Sequence, residues 1–364
     1  MKKFTFYFLF LLITLFSSFV VLEISLRTYL TIKHVKNPNV SYWGKTWYSY
    51  ESNLIIINKF DENLRSNLKE VKFHNLNLPR WTKNSNITIN KFGFRENDNQ
   101  DLIFKNNQKI LTTGDSFTYG SQVSNNETWP SYLENLIKIK VNNGGHQGYS
   151  AGQSLRRAQI LSKNEKYDYF IWSIIYNDFY RDAPIKFIIK KNDELQFNRF
   201  RLNPEYTNKL KPKNLYDSLR ELFFIFYLLD REVIQNINFF NPPHIEKYIP
   251  LIEGSNQYSA KEQIEFLLKE FLKIEIKNKY ILIQHTDTSE NTNKELISAR
   301  KKAYDEKYKE HLFDIAKKYE IKIIDTEIWF NKMSSEEKRL MWLDHHTPRG
   351  NYEVAKFISQ NIDF

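Results

Sequence analysis

Residues 110–120 read ILTTGDSFTYG, a run of strand-forming residues that breaks off on Gly-Asp-Ser and is followed by an aromatic residue, a Thr and a second Gly. Gly, Asp and Ser are ordinary turn residues, so the triplet by itself describes a loop. The sharper reading is a strand-to-helix elbow that presents Ser116 as a nucleophile. That reading requires a base, an orienting carboxylate and oxyanion donors elsewhere in the chain.

Working outward, QKILTTGDS reads as a strand, the segment from Glu127 to Ile139 as a helix, and IKVNNGG as a second strand. A helix over SAGQSLRRAQILSK precedes the long apolar strand YDYFIWSIIYND. Later come a helix over SAKEQIEFLLKEFLKIEIKNK, the strand YILIQHT, a long amphipathic helix, the strand IKIIDT and a last helix from about Gly350 to Ile362. Continuous apolar strands alternating with helices predict a parallel sheet covered on both faces. Ligands in such folds sit at the carboxyl ends of the strands. The alternation breaks between about 179 and 254, where an insert carries the uncharged run Leu222–Leu229, too short to span a bilayer. Residues 31–105 show no clear period, and Thr88–Glu96 reads as a turn centred on Gly93. The expected organisation is an anchor helix at 1–30, a linker and irregular flank at 31–105, and the main domain at 106–364.

The strand ends carry, in order, Ser116, NGGHQGYSAGQ, Asn177, His285 and Asp325, and LDHHTPRG stands just before the last helix. Ser116 therefore has a possible base in His345 or His346 and a carboxylate in Asp344. Gly148 and the Asn177 amide are candidate oxyanion donors. Acyl transfer needs this set: a nucleophile, a base, an orienter and donors aimed where negative charge develops. His285 and Asp325 are expected without a role, His146 as a loop residue, and Asp178 as a cap.

These blocks resemble the SGNH (GDSL-type) hydrolase family, in particular a membrane-anchored bacterial branch of it. GDSFTYG matches the nucleophile block. NGGHQGYSAGQ is similar to the second block, with Gly148 at the oxyanion glycine. YND is similar to the third, with Asn177 as the oxyanion amide, and DHHTPRGNYEVA to the block carrying acid and base. The resemblance covers about Thr88–Phe364. It implies a three-layer α/β/α sandwich with a mainly parallel, five-stranded, flavodoxin-like sheet. It also implies an esterase that removes acyl groups, O-acetyl above all, from a cell-envelope glycan or similar ester. Two other functions share the pattern: an O-acyltransferase using the same serine, and a non-catalytic envelope binding module. Ile175 holds the place where the third block usually has Gly. In the last block Asp344 and His346 are two apart, hence on one side of an extended segment, which favours His346 as the base. Counting back from Gly350 by the family's more usual interval selects His345 instead.

The composition fits this class. The chain has 364 residues, 41% hydrophobic and 26% charged, enough for a packed core. It has no cysteine, which excludes disulfides and thiolate metal sites. The net charge of +10 is spread among Asp, Glu and Asn without a compact basic tract, so nucleic acid is not an expected partner. No His, Asp or Glu grouping has metal-ligand spacing and no Gly-rich phosphate loop occurs, so no cofactor is expected. The 19 uncharged residues from Phe4 to Leu22 follow two lysines. As a helix they span roughly 29 Å, one hydrocarbon core. A cleaved signal peptide is the rival, but no small-x-small site follows cleanly. The expected location is the cell membrane, by a single span, with the main domain on the periplasmic or extracellular side. Deleting residues 1–30 is expected to move the protein from the membrane to the soluble fraction without abolishing ester cleavage. A full-length product found cut after this segment and freely soluble would refute the anchor.

Overall fold

The computed structural model describes residues 2–33, 58–68, 70–76, 85–99, 101–202, 225, 248–255, 257–285, 294–342 and 345–364. The chain forms two compact units. The smaller comprises 1–56, 77–83 and 203–247; the larger comprises 57–76, 84–202 and 248–364.

In the smaller unit, helix α1 (Lys2–Lys33) contains the apolar run, and an 18-residue stretch within its Lys3–Tyr29 portion has a mean hydropathy of 2.3. It is long and apolar enough to cross a membrane, as an anchor or as a signal segment would be. Glu23 and Arg27, one turn apart, form a pair at 2.5 Å, and the other Glu23 oxygen accepts from the Ile225 backbone N–H at 2.9 Å. Apart from Ile225, the apolar run of the insert lies outside the described residues.

The larger unit is built on five parallel strands. Those strands are β5 (Lys109–Thr113), β6 (Lys140–Asn143), β7 (Tyr169–Ile175), β12 (Asn278–Gln284) and β13 (Lys322–Asp325). Their spatial order is β13-β12-β7-β5-β6, every neighbour pair parallel. This is the doubly wound, flavodoxin-like order. β7 at the centre is buried along its whole length, which is why its sequence is apolar without alternation. Its side chains nevertheless divide by face. Phe170, Trp172 and Ile174 join a core with helices α4 (Ala151–Leu161), α5 (Ala260–Leu272) and α7 (Glu310–Lys318). Tyr169 and Ile171 join a second core with α3 (Trp129–Ile137) and α10 (Pro348–Asn361). The helices start where capping residues stand. Thr128, Ser150, Ser259 and Thr347 each accept a first-turn N–H, and Ser150 and Ser259 form capping boxes with Gln153 and Glu262.

Four antiparallel pairs decorate this sandwich: β1 (Asn58–Asp61) with β2 (Arg65–Leu68), β3 (Val71–Leu76) with β4 (Ser85–Ile89), β8 (Ile188–Lys191) with β9 (Glu194–Phe197), and β10 (Phe200–Leu202) with β11 (Tyr248–Pro250). The first two lie in the stretch expected as linker and irregular flank, and they belong to the larger unit. The strands of the first two pairs, four to six residues long, are too brief to show a period, and contacts distant in sequence hold them to the sandwich. The Tyr149 hydroxyl donates to Ser66 O, and Gln153 Nε2 donates to Leu64 O at 2.8 Å.

Candidate active site

β5 ends at Thr113, and the chain turns through Gly114 and Asp115 into the four-residue helix α2 (Ser116–Tyr119). A Cβ at Gly114 would stand 2.2 Å from Thr118 Oγ1 and 2.6 Å from Ser173 O, so only glycine passes here. Asp115 is extended and its Oδ1 accepts from Phe117 N–H at 2.9 Å, which starts the helix. Gly120, left-handed at φ 80°, ends it by donating to Ser116 O. The opening triplet is thus an elbow, with Ser116 8% exposed at the carboxyl end of a central strand.

The turn expected around Gly93 holds this elbow from behind. Arg95 is 1% exposed. Its guanidinium donates to Tyr119 O at 2.8 Å, to Gly120 O and Val123 O at 2.5 Å each, and to Asn125 Oδ1 at 3.2 Å. Four carbonyl acceptors around one buried cation make a rigid support. From the β6 side, His146 N–H donates to Gly114 O at 3.1 Å, and Gly145 packs so closely that an added Cβ would lie 2.3 Å from Tyr119 N. Gly148 follows in the left-handed conformation, exposed, at φ 69°. His146 is a buried loop residue, its ring stacked on Tyr149 at 3.9 Å. Burial, with the Arg157 charge adding to it, lowers its pKa to about 3.

The third strand end places Asn177, half-buried, immediately before a 3-10 turn over Asp178–Arg181. The expected Asp178 cap is not formed: Asn177 holds the N-cap place, and Asp178 Oδ2 instead accepts from Ile175 N–H at 3.0 Å, tying the turn back to the strand end. Ile175, where the family usually has Gly, is buried against Phe117 and Trp342.

The geometry brings His345, and not the expected His346, beside Ser116. His345 Nε2 lies 2.8 Å from Ser116 Oγ. His346 turns away: it is 2% exposed, edge-on to Phe117 at 4.9 Å and to Trp342 at 5.7 Å. Among the described residues neither of its ring nitrogens meets a partner in hydrogen-bonding geometry, although the Asn351 amide lies alongside. Desolvation, then the neighbouring His345, lowers its pKa to about 3, so it stays neutral in the core. The register comes from the start of α10. Trp342 bridges His346, and Thr347 N–H donates to Met341 O at 2.9 Å while its hydroxyl caps Gly350 N–H at 3.0 Å. With His346 pinned inward, the alternation of an extended segment turns His345 outward to Ser116. Asp344 lies outside the described residues.

His285 and Asp325, at the ends of β12 and β13, approach to 2.9 Å. Together with Glu327 they place potential ligand atoms within 4.8 Å of one another, and Glu327 is also paired with Lys309.

Sequence reasoning missed Arg181. Its Nη1 lies 3.2 Å from Asp115 Oδ2, which is itself 3.3 Å from Ser116 Oγ. The only sequence signal is its place four residues after Asn177. Beside it opens a cavity of about 260 Å³, lined in part by Arg65, Gly148, Tyr149, Tyr180 and Arg181.

No family model matches the chain, and no curated protein matches it. Among solved structures it is similar to a member of the lipolytic G-D-S-L family from Veillonella parvula, with 12% identity, a TM-score of 0.37 and coverage of 70% of this chain and 97% of that one. It is also similar to a lipase/acylhydrolase from Enterococcus faecalis, with 12% identity, a TM-score of 0.39 and coverage of 70% and 95%. A third is a catalytic mutant of an acetylxylan esterase from Geobacillus stearothermophilus, with 15% identity, a TM-score of 0.38 and coverage of 72% and 97%.

Two predictions separate the histidines. His345→Ala is expected to lower ester turnover by about 10⁴–10⁶-fold, as losing a base that works as a unit with its nucleophile does. His346→Gln should leave turnover within a few-fold of wild type. Both are measured on one small ester, with circular dichroism to check folding. The second prediction concerns stability. An unfolded His takes up a proton near its ordinary value of about 6.5, whereas folded His346 resists until about 3. The unfolded state therefore binds more protons in this window, and stability falls as pH drops through it, by at most about 1.4 kcal/mol per pH unit for this ring. Melting midpoints at about pH 7 and about pH 5 should drop more for wild type than for His346→Gln. Equal drops would refute the neutral buried ring.

Proposed function

We propose that this protein is a membrane-anchored serine ester hydrolase of the SGNH type. The observation that carries the reading is the 2.8 Å contact between Ser116 Oγ and His345 Nε2 at the carboxyl rim of a parallel sheet. A neutral imidazole nitrogen there can take the hydroxyl proton as Ser116 attacks an acyl carbonyl. The negative charge that develops on the carbonyl oxygen is received by the backbone N–H groups of Ser116 and Gly148 and by the Asn177 amide. His345 then returns its proton to the departing alcohol, and water releases the acyl group by the same steps in reverse order. Asp344, directly before His345 in the chain, is the candidate orienting carboxylate, a role that needs the chain to depart from extended alternation between these two residues. Helix α1 anchors the chain, with the larger unit outside the cytoplasmic membrane. The substrate class that fits this placement is an O-acetyl ester on a cell-envelope or exported glycan.

A serine-directed fluorophosphonate is expected to label Ser116 in the wild type and nothing in Ser116→Ala. Asn177→Ala should lower the turnover number by about 10²–10³-fold with little loss of folding. Labelling elsewhere, or an unchanged turnover number in Asn177→Ala, would overturn the assignment of the residue concerned.

A further inference from the structure

We propose that Arg181 is a positioning residue that holds the loops carrying the nucleophile and the oxyanion donors Gly148 and Asn177 in one geometry, an inference that rests on the Ser116 reading above. A single nitrogen, Nη1, lies 3.2 Å from Asp115 Oδ2, 2.9 Å from Asp178 Oδ1 and 2.9 Å from Tyr149 O. The three acceptors belong to loops at three different strand ends. Asp115 precedes Ser116, Tyr149 follows Gly148, and Asp178 follows Asn177.

The strand ladder cannot set the relative places of these loops, because it stops before them. The paired residues end at Thr113 on β5, Asn143 on β6 and Ile175 on β7. Beyond those points the His146 N–H bond to Gly114 O still joins the loops after β5 and β6, and Arg181 is the side chain that reaches all three loops. The charge matters as much as the reach. Asp115 and Asp178 are each 1% exposed and face the same guanidinium. Two buried carboxylates this close repel each other unless a cation stands between them. Burial and the Asp115 charge already hold the Asp178 carboxyl well above its usual range, while Arg181 opposes that rise. A lysine would supply the charge but not a planar guanidinium fork. Arg181 touches no reacting atom in this arrangement; it acts through Asp115, Tyr149 and Asp178 on their neighbours.

The test uses the full-length protein and a small ester, p-nitrophenyl acetate, which needs no remote binding contacts. Arg181→Met is expected to lower kcat by about 10²-fold, the effect of a roughly 1 Å misplacement, with KM within about threefold. The double variant with Asn177→Ala should be within about threefold of the worse single variant, because a donor already displaced cannot be lost again. A purely structural role predicts the product of the two losses instead. Arg181→Lys should recover part of the loss. A wild-type kcat in folded Arg181→Met, or additive losses in the double variant, would overturn the proposal. If Arg181→Met does not fold, Arg181→Lys takes its place: a folded protein with kcat at least about tenfold down and the same non-additivity supports it, and a wild-type kcat overturns it. Ser116→Ala measured alongside separates the two readings. An inactive Ser116→Ala beside a fully active Arg181→Met overturns only the positioning role, whereas an active Ser116→Ala overturns both.

Discussion

The close approach of backbone at Gly114 and Gly145 governs the site. At the first, the chain leaving β5 passes within contact distance of Ser173 O on the neighbouring central strand; at the second, the loop after β6 lies directly against Tyr119 N. With no side chain at either point, three strand ends converge on one elbow, and Ser116 emerges where the sheet supplies polar groups from several strands at once. A methyl group at either position would have to displace backbone, not a flexible side-chain tip. The parallel sheet therefore works as a jig whose tolerances are set by two missing Cβ atoms.

Buried cations complete what the sheet begins. Arg95 gathers the carbonyls that end α2. Arg157, also 1% exposed, donates to Gly144 O at 2.7 Å and to Gly93 O at 2.5 Å, and so joins the loop after β6 to the turn before β5. Arg181, about a quarter exposed, links three loops across the rim. Burying a guanidinium is costly unless its donors are satisfied, so each fixes the carbonyls around it in a narrow range of positions. This solves a general difficulty of doubly wound folds: the active loops lie past the last ladder hydrogen bond, where the sheet no longer dictates distance. The two faces of the sheet are covered by apolar helices.

The two histidines show where linear reading runs out. Spacing to Asp344 favours His346, and spacing to Gly350 favours His345. The second spacing agrees with the structure because Gly350 belongs to the element that sets the register. Gly350 packs on the end of the preceding helix, where a Cβ would lie 2.3 Å from Met341 O, and the Thr347 cap fixes the turn between them. His346 is then drawn into an aromatic niche beside Phe117 and Trp342, which removes it from titration near neutral pH. The strands at 58–76 and 85–89 were equally hidden, since each is only a few residues long and what holds the first pair to the sandwich lies as far off as Tyr149 and Gln153.

By itself the sequence determined the alternation of apolar strands and capped helices, the order of the four blocks, the Gly-Asp-Ser elbow and the apolar N-terminal segment. These are local properties: side-chain period, turn chemistry and capping act within a few residues. Only the tertiary structure decided which histidine faces Ser116, that the flank before residue 105 supports the elbow, and that Arg181 links three loops. Each of those depends on distances between segments tens of residues apart, and such distances follow from how the sheet, its two helical layers and the buried guanidinium groups pack together, which no local pattern records.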